Sequence, residues 1–335
     1  MTASSAGTSD DGALPITMRD VLEARDRLAP YLQPTPLRQY GPLDAAVGPD
    51  IQLFLKLENH HPTESFKVRN ALSALTALTP DEKRRGVVAA TRGNHGLGLA
   101  YAGRMLSIPV TLVVPRGNNP EKNEGMRAQG ARVVEEGRDY DEAIGTAQRL
   151  VEQEGLCVVH STNNRHVLAG AATLALEMIE QQPRLDAMVF AVGGGSQAVG
   201  GILVARELAP SLAVYGAQSE AAAATHDSWH ARKPLQKDRA DTFADGIATR
   251  ATYTMTFDAL LHGLRNFVTV SEREIADAVR LLLHKTHNLA EGAGATGLAG
   301  VIKLRRDLAG KRVGVVLSGA NIDAATLRRV MTGEL

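Results

Sequence analysis

Short apolar runs rich in β-branched residues alternate with helix-period stretches from residue 87 onward. Val87–Ala90 reads as a strand and Gly96–Leu106 as the helix that follows it. The same alternation predicts strands at Val110–Val114 and Arg132–Glu135, with helices near Glu121–Gln129 and Asp139–Glu154 after them. Further strands are predicted at Cys157–His160, Ala187–Val192, Ala213–Ala217, Phe267–Val270 and Val313–Leu317, and a helix over His166–Glu180. These strands lack strict in–out alternation, and helices separate them. That is the mark of parallel sheets covered on both faces. Ser271-Glu272-Arg273-Glu274 is a capping box opening a helix with Ile275, Ala278, Val279, Leu282 and Leu283 on one face. Ser228–Thr256 is more polar and less periodic, so it is expected to form loops over a site. The fold class is α/β, with two sheets expected rather than one.

A chain of 335 residues suits two domains or one domain with an insertion. Lys plus Arg and Asp plus Glu are both 37, so bulk charge draws the chain to neither nucleic acid nor an anionic membrane. Aromatic residues make up 4%, too few for platforms that stack single-stranded nucleic acid. No run is long enough to span a membrane. The one cysteine, Cys157, lies in an apolar run and is expected to be a small core residue. Residues 1–15 are rich in Ser, Thr, Gly and Asp, without the pattern of a signal peptide, and are expected to be a flexible tail. These features together suggest a soluble cytoplasmic protein.

Candidate chemistry lies at one lysine and three turns. Ser65-Phe66-Lys67-Val68-Arg69-Asn70-Ala71 places a lysine after an aromatic residue, at the start of an apolar helical run through Ala71, Leu72, Ala74, Leu75 and Leu78. Enclosed by apolar groups, its amine loses proton affinity and becomes a nucleophile able to form a Schiff base. Read locally, a lysine at a helix edge is more often solvated or snorkelling, and the local signal at Lys67 is weak. Thr91-Arg92-Gly93-Asn94-His95 follows a strand and opens a helix, where an anion is favoured; a plain capping turn has the same local sequence. Gly193-Gly194-Gly195-Ser196-Gln197 follows another strand. Its glycines let backbone N–H groups converge on a phosphate, or simply make a tight turn. It is neither a Walker loop nor a dinucleotide fingerprint. Ser318, in Ser318-Gly319-Ala320-Asn321 after the last strand, offers one hydrogen bond or a helix cap.

Taken in order, the Ser-Phe-Lys-x-Arg lysine, the Gly-Asn-His turn, the glycine-rich turn and Ser-Gly-x-Asn resemble one family. It is the fold-type II pyridoxal-phosphate enzymes, in the branch of threonine/serine dehydratases and serine racemases. Thr35-Pro36-Leu37, Lys56-Leu57-Glu58-Asn59, Ala244-Asp245-Gly246-Ile247-Ala248 and Glu291-Gly292-Ala293-Gly294-Ala295 extend the resemblance from about Thr17 to the C-terminus. It implies a tryptophan synthase β-like fold of two α/β domains with largely parallel sheets and pyridoxal 5'-phosphate between them. The larger, cofactor-binding domain would comprise residues 16–86 and 157–335, and a smaller mobile domain residues 87–156.

By the same resemblance Lys67 holds the cofactor as a Schiff base and later acts as the base. Asn94 bonds the cofactor's phenolic oxygen. Gly193, Gly194, Gly195 and Ser196 cradle the phosphate, with Gln197 beside them in the cofactor site, and Ser318 faces the ring nitrogen. Thr91, Arg92, Gly93, Asn94 and His95 form the substrate-binding turn. The implied activity is an ammonia-lyase that removes water from a β-hydroxy amino acid, serine- or threonine-like, phenylserine or 3-hydroxyaspartate, giving a 2-oxo acid and ammonia. The alternatives are a cysteine synthase-like β-replacement enzyme or a non-catalytic cofactor-binding relative. A homodimer is implied.

Departures from the family pattern sharpen this. Arg92 stands where racemases carry a serine acid/base, and a permanently charged guanidinium makes a poor base, so little racemisation is expected. Arg92 either pairs with a distal carboxylate of the substrate or forms a structural ion pair. Asn70 stands in place of a glycine, and Ser196 and Gln197 in place of a glycine and an apolar residue. The family's cation site reads Gln218-Ser219 with Ala224 downstream, so no divalent metal is expected there.

Overall fold

The computed structural model describes residues 14–48, 50–138 and 140–335. Most of the predicted tail, residues 1–13, lies outside them, as does Asp139, the expected start of one helix. Among the described residues there are ten strands: β1 Leu37–Gln39, β2 Gln52–Leu57, β3 Val87–Ala90, β4 Val110–Val114, β5 Arg132–Glu135, β6 Cys157–Val158, β7 Ala187–Ala191, β8 Ala213–Ser219, β9 Asn266–Val270 and β10 Arg312–Leu317. They form two sheets. One has the order β1-β2-β10-β7-β8-β9 and the other β5-β4-β3-β6. All pairings are parallel except β1 with β2.

Both faces of the central strands are buried, which is why they read as continuous apolar runs. Val313, Val315 and Leu317 pack with the helices Glu272–Thr286 and Gly292–Lys303. Val316, Met188 and Phe190 face the other way, onto the helices Arg165–Gln181 and Ser196–Leu208. In the smaller sheet Val87, Ala89, Leu112 and Val114 share a core with the helix Asn94–Leu106. Val88 and Val113 face Tyr140–Glu154. The predicted capping box forms: Ser271 Oγ accepts from the Glu274 N–H at 3.2 Å, and the Ser271 N–H donates to Glu274 Oε2 at 2.7 Å.

Three local readings change. The strand expected over Cys157–His160 stops at Val158, and just beyond it the chain turns, with His160 Nδ1 accepting the N–H groups of Thr162 and Asn163, both at 2.9 Å. Cys157 is half-buried rather than core, since β6 is an edge strand; its Sγ lies 3.6 Å from Arg85 Nη2. The helix after β3 starts at Asn94, two residues before the expected Gly96.

The helix Lys67–Thr76 joins the two sheets. It packs on Asn94–Leu106 on one side and on Arg165–Gln181 on the other. Two glycines permit this. A Cβ on Gly98 would stand 2.8 Å from the Lys67 carbonyl oxygen, and one on Gly170 would stand 2.6 Å from that of Arg69. Arg69 itself is buried between two carboxylates. Its guanidinium donates to Glu58 at 2.7 and 2.9 Å and to Glu177 at 2.6 and 2.8 Å. Lys56 Nζ completes the set at 2.6 Å from Glu177. Two cations against two carboxylates leave no unpaired charge within this cluster, the condition under which such burial is tolerated.

Candidate active site

The carboxyl ends of β10, β7 and β3 open on one cavity of about 380 Å³ between the two sheets. Parallel α/β sheets bind ligands at this end. The walls include every residue singled out in the sequence: Lys67, Thr91, Arg92, Gly93, Asn94, His95, Gly193, Gly194, Gly195, Ser196, Gln197 and Ser318. Part of the Ser228–Thr256 segment also lines it, tied by a bridge between Gln236 and Ala251.

Lys67 is the first residue of its helix. The Phe66 N–H donates to the Ser318 carbonyl at 3.1 Å, and Ser65 bridges Gly319, so the lysine is held beside the end of β10. Among the described residues its amine has no hydrogen bond or ion pair, and it lies 4.9 Å from the centroid of the Phe66 ring. Burial pushes its pKa down to about 8, against a smaller opposing pull from Glu291.

The glycine turn is built to present N–H groups. Thr225 Oγ1 donates to the Gly193 carbonyl at 3.1 Å and Thr256 Oγ1 to the Gly194 carbonyl at 2.7 Å. With those oxygens tied back, the start of the helix Ser196–Leu208 has no side-chain cap. Gly195 has φ +90°, which favours glycine, and leads into that helix. A Cβ on Gly194 would stand 2.2 Å from Thr162 Oγ1, and one on Gly193 would stand 2.9 Å from Ile247 Cα. Gln197 Oε1 is buried beside the turn without a partner.

In the turn after β3, Thr91 Oγ1 accepts the N–H groups of Gly93 and Gly96, both at 3.1 Å. His95 Nε2 donates to the Val159 carbonyl at 2.9 Å, which places the ring proton on Nε2 and leaves Nδ1 buried without a partner. Burial, aided by the charge of Lys67, pushes His95 down to about 3, so the ring is neutral. Asn94 Nδ2 donates to Glu291, and Asn94 Oδ1 accepts from Asn321 Nδ2 at 2.8 Å. Ser318 Oγ has one long hydrogen bond, 3.4 Å, to the Ala293 carbonyl.

The structure adds residues whose roles the sequence did not indicate. Burial pushes the Glu291 carboxyl up to about 7 although Lys122 opposes it, so this group is partly protonated near neutrality. Lys122 is buried 2.6 Å from Asp245 and 3.8 Å from Glu291. Asp245 and Glu291 lie within motifs that carried the family resemblance, and that was their signal; Lys122 had none. The far wall holds Tyr140, whose hydroxyl bonds Ser161, and Tyr253, edge-on to His160 with centroids 5.2 Å apart. Arg92 is half-buried on this side and, among the described residues, has no hydrogen bond or ion pair. The structural ion pair considered for it is therefore not formed. At the position of the family's cation site, Gln218 Oε1 accepts the His226 N–H at 2.9 Å. Among the described residues, no cluster of three or more His, Cys, Asp or Glu has metal-binding geometry. No described helix is long and apolar enough to cross a membrane.

These residues fit a phosphorylated aldehyde. An amine whose proton affinity is lowered by burial shares one cavity with a glycine turn packed too closely against Thr162, Ile247 and Leu260 to admit a side chain. Such a site on a two-sheet parallel α/β frame defines a pyridoxal-phosphate enzyme of fold type II. Residues 28–319 match the model of the pyridoxal-phosphate dependent enzyme family, and the chain belongs to it. It is 37% identical to an L-threonine ammonia-lyase of Thermotoga maritima, over 96% of this chain and 79% of that protein. It is 33% identical to an L-threo-3-hydroxyaspartate ammonia-lyase of a Pseudomonas species, over 94% of this chain and 98% of that protein. The crystal structure of a serine racemase from Dictyostelium discoideum superposes with a TM-score of 0.86 at 30% identity, covering 92% of this chain and 99% of that one.

Proposed function

We propose that the protein is a pyridoxal-phosphate dependent ammonia-lyase that removes water from a β-hydroxy amino acid and releases a 2-oxo acid and ammonia. The observation that carries this reading is the unpartnered amine of Lys67, lowered to about pH 8, in one cavity with the tied-back glycine turn. Lys67 would hold the cofactor, with Gly193 to Gln197 for its phosphate, Asn94 for its phenolic oxygen and Ser318 for its ring nitrogen. The bound cofactor supplies a conjugated sink for the electrons left at Cα.

The chain's own groups then divide the work. The substrate carboxylate binds at the turn Thr91–His95, where the start of the helix Asn94–Leu106 favours an anion. Freed by the incoming amino acid, the Lys67 amine stands beside Cα and accepts its proton. His95, neutral and bonded to Val159, orients and does not protonate. Ser318 is uncharged and does not enforce a protonated ring nitrogen, which favours rapid loss of the β-hydroxyl over slower exchanges. Arg92 cannot return a proton to the opposite face of Cα, so racemisation is a minor outcome.

The named activities of the two ammonia-lyases fall in this substrate class. Residues 87–156, with β6 attached, are assigned as the unit that closes on substrate. A homodimer and a cytoplasmic setting complete the assignment; light scattering and fractionation test them. The main test gives the purified holoenzyme serine, threonine, phenylserine and 3-hydroxyaspartate and follows 2-oxo acid and ammonia. Release from at least one is expected, and release from none overturns the reading. A substituted amino acid formed when thiol is added would identify a β-replacement enzyme instead.

A further inference from the structure

Among the described residues Arg92 is a cation without a partner, in a cavity whose other charges are largely accounted for. Lys122 pairs with Asp245, and Arg239 pairs with Asp241. Lys67 is committed to the cofactor under the reading above. Asp238, at the mouth, is exposed to water and forms no pair with Arg92. The guanidinium lies close enough to Tyr140 for its charge to act on that phenol, which is hydrogen-bonded to Ser161. One wall of the cavity therefore presents a fork of N–H donors flanked by two hydroxyls.

We infer that Arg92, with Tyr140 and Ser161, forms a second anion subsite that selects β-hydroxy amino acids carrying a distal carboxylate, the 3-hydroxyaspartate class. The inference rests on the lyase reading and refines it. The α-carboxylate already has its seat at the helix start after β3, so a second anion is what the guanidinium is left to bind. A planar fork matches a carboxylate with two parallel hydrogen bonds. Serine and threonine leave that fork facing a hydrogen or a methyl group. A site built to hydrogen-bond a group discriminates strongly against substrates that lack it. An aryl group would instead use the Tyr140 and Tyr253 rings and leave the charge unmatched.

The chemistry balances without an oxidant. The Cα–H and Cβ–O bonds break and water leaves. The Cα=Cβ enamine so formed tautomerises, Cβ gaining a proton as the nitrogen loses one, and hydrolysis of the resulting C=N bond takes one water back. The net change is one substrate to one dicarboxylic 2-oxo acid and one ammonia.

The test compares kcat/KM for L-threo-3-hydroxyaspartate, L-serine and threo-phenylserine in the holoenzyme and in Arg92→Gln and Arg92→Lys. The wild type should favour hydroxyaspartate over serine by roughly 100-fold, and Arg92→Gln should erase most of that ratio, chiefly through KM. Arg92→Lys should be intermediate, since it keeps the charge and loses the fork. An equal loss on all substrates, or a preference for phenylserine, would overturn the inference. Release of 2-oxo acid from serine alone would also sink it while leaving the lyase reading intact. If nothing turns over, succinate binding against propionate, read from the cofactor absorbance, still decides. Preference for succinate that disappears in Arg92→Gln supports the subsite; equal binding refutes it.

Discussion

Gly194→Ala tests the phosphate cradle directly. Gly194 does not have a positive φ, so the backbone accepts alanine and the question is one of space. The added Cβ would meet Thr162 Oγ1 at 2.2 Å and Thr162 Cβ and Cγ2 at 3.0 Å. Ordinary carbon–oxygen contacts need at least 3.4 Å. The turn or the threonine must therefore move by more than an ångström, in a turn whose carbonyls are fixed by Thr225 and Thr256. Overpacking of this kind costs about 1–3 kcal/mol. Charged to cofactor binding, that is roughly a 5- to 150-fold rise in Kd, at 1.4 kcal/mol per factor of ten. Titration of apoprotein with pyridoxal phosphate, followed by absorbance, measures it. Thr162→Ala removes the closest atom, so the double variant should recover a large part of the loss. A single variant that binds cofactor like the wild type, or a double variant with no recovery, would refute the argument.

Other outcomes are expected elsewhere. The Lys67 amine has its pKa lowered by burial from 10.5 to about 8, so cofactor capture by the apoprotein should accelerate as pH rises through about 8 and then level; a midpoint near 10 would contradict this. The same shift makes the apoprotein gain stability between about pH 8 and 10.5, because the unfolded chain binds the extra proton there. Arg69→Met leaves Glu58 and Glu177 without their shared cation and should cost about 3–5 kcal/mol in denaturant unfolding; a loss below about 1 kcal/mol would show the network to be dispensable. Burial alone would raise Glu58, but Arg69 and His61 hold it well below 4.5, so its stabilising share should be complete above that value and fade as pH falls below it. Glu64 is exposed with φ 53°, so Glu64→Gly should stabilise by up to about 1 kcal/mol, read as a higher unfolding midpoint.

The strands that lead into the cavity's turns were legible because each is a short apolar run followed by glycine or a small polar residue. β1 and β2 were not. Gln52–Leu57 contains Lys56, and nothing local says that this lysine is buried against Glu177, 121 residues away. The helix Lys67–Thr76 was legible as a helix but not as part of the smaller sheet's core, to which Val68, Leu72 and Leu75 belong. Cys157 was read from its apolar neighbours, and only the strand order showed it to be at an edge.

Turns, caps and the register of a lysine after an aromatic residue depend on a few consecutive residues. The sequence by itself therefore determined where Lys67, the glycine turn and the Thr91–His95 turn fall. What these groups are chemically was decided by tertiary structure. The amine of Lys67 is lowered by burial, and Glu291 is raised by burial while bonded to Asn94, 197 residues earlier in the chain. Arg92 lost its alternative as a structural ion pair only when the fold placed it in the cavity beside Tyr140. Desolvation and charge pairing act through space, and chain position does not encode them.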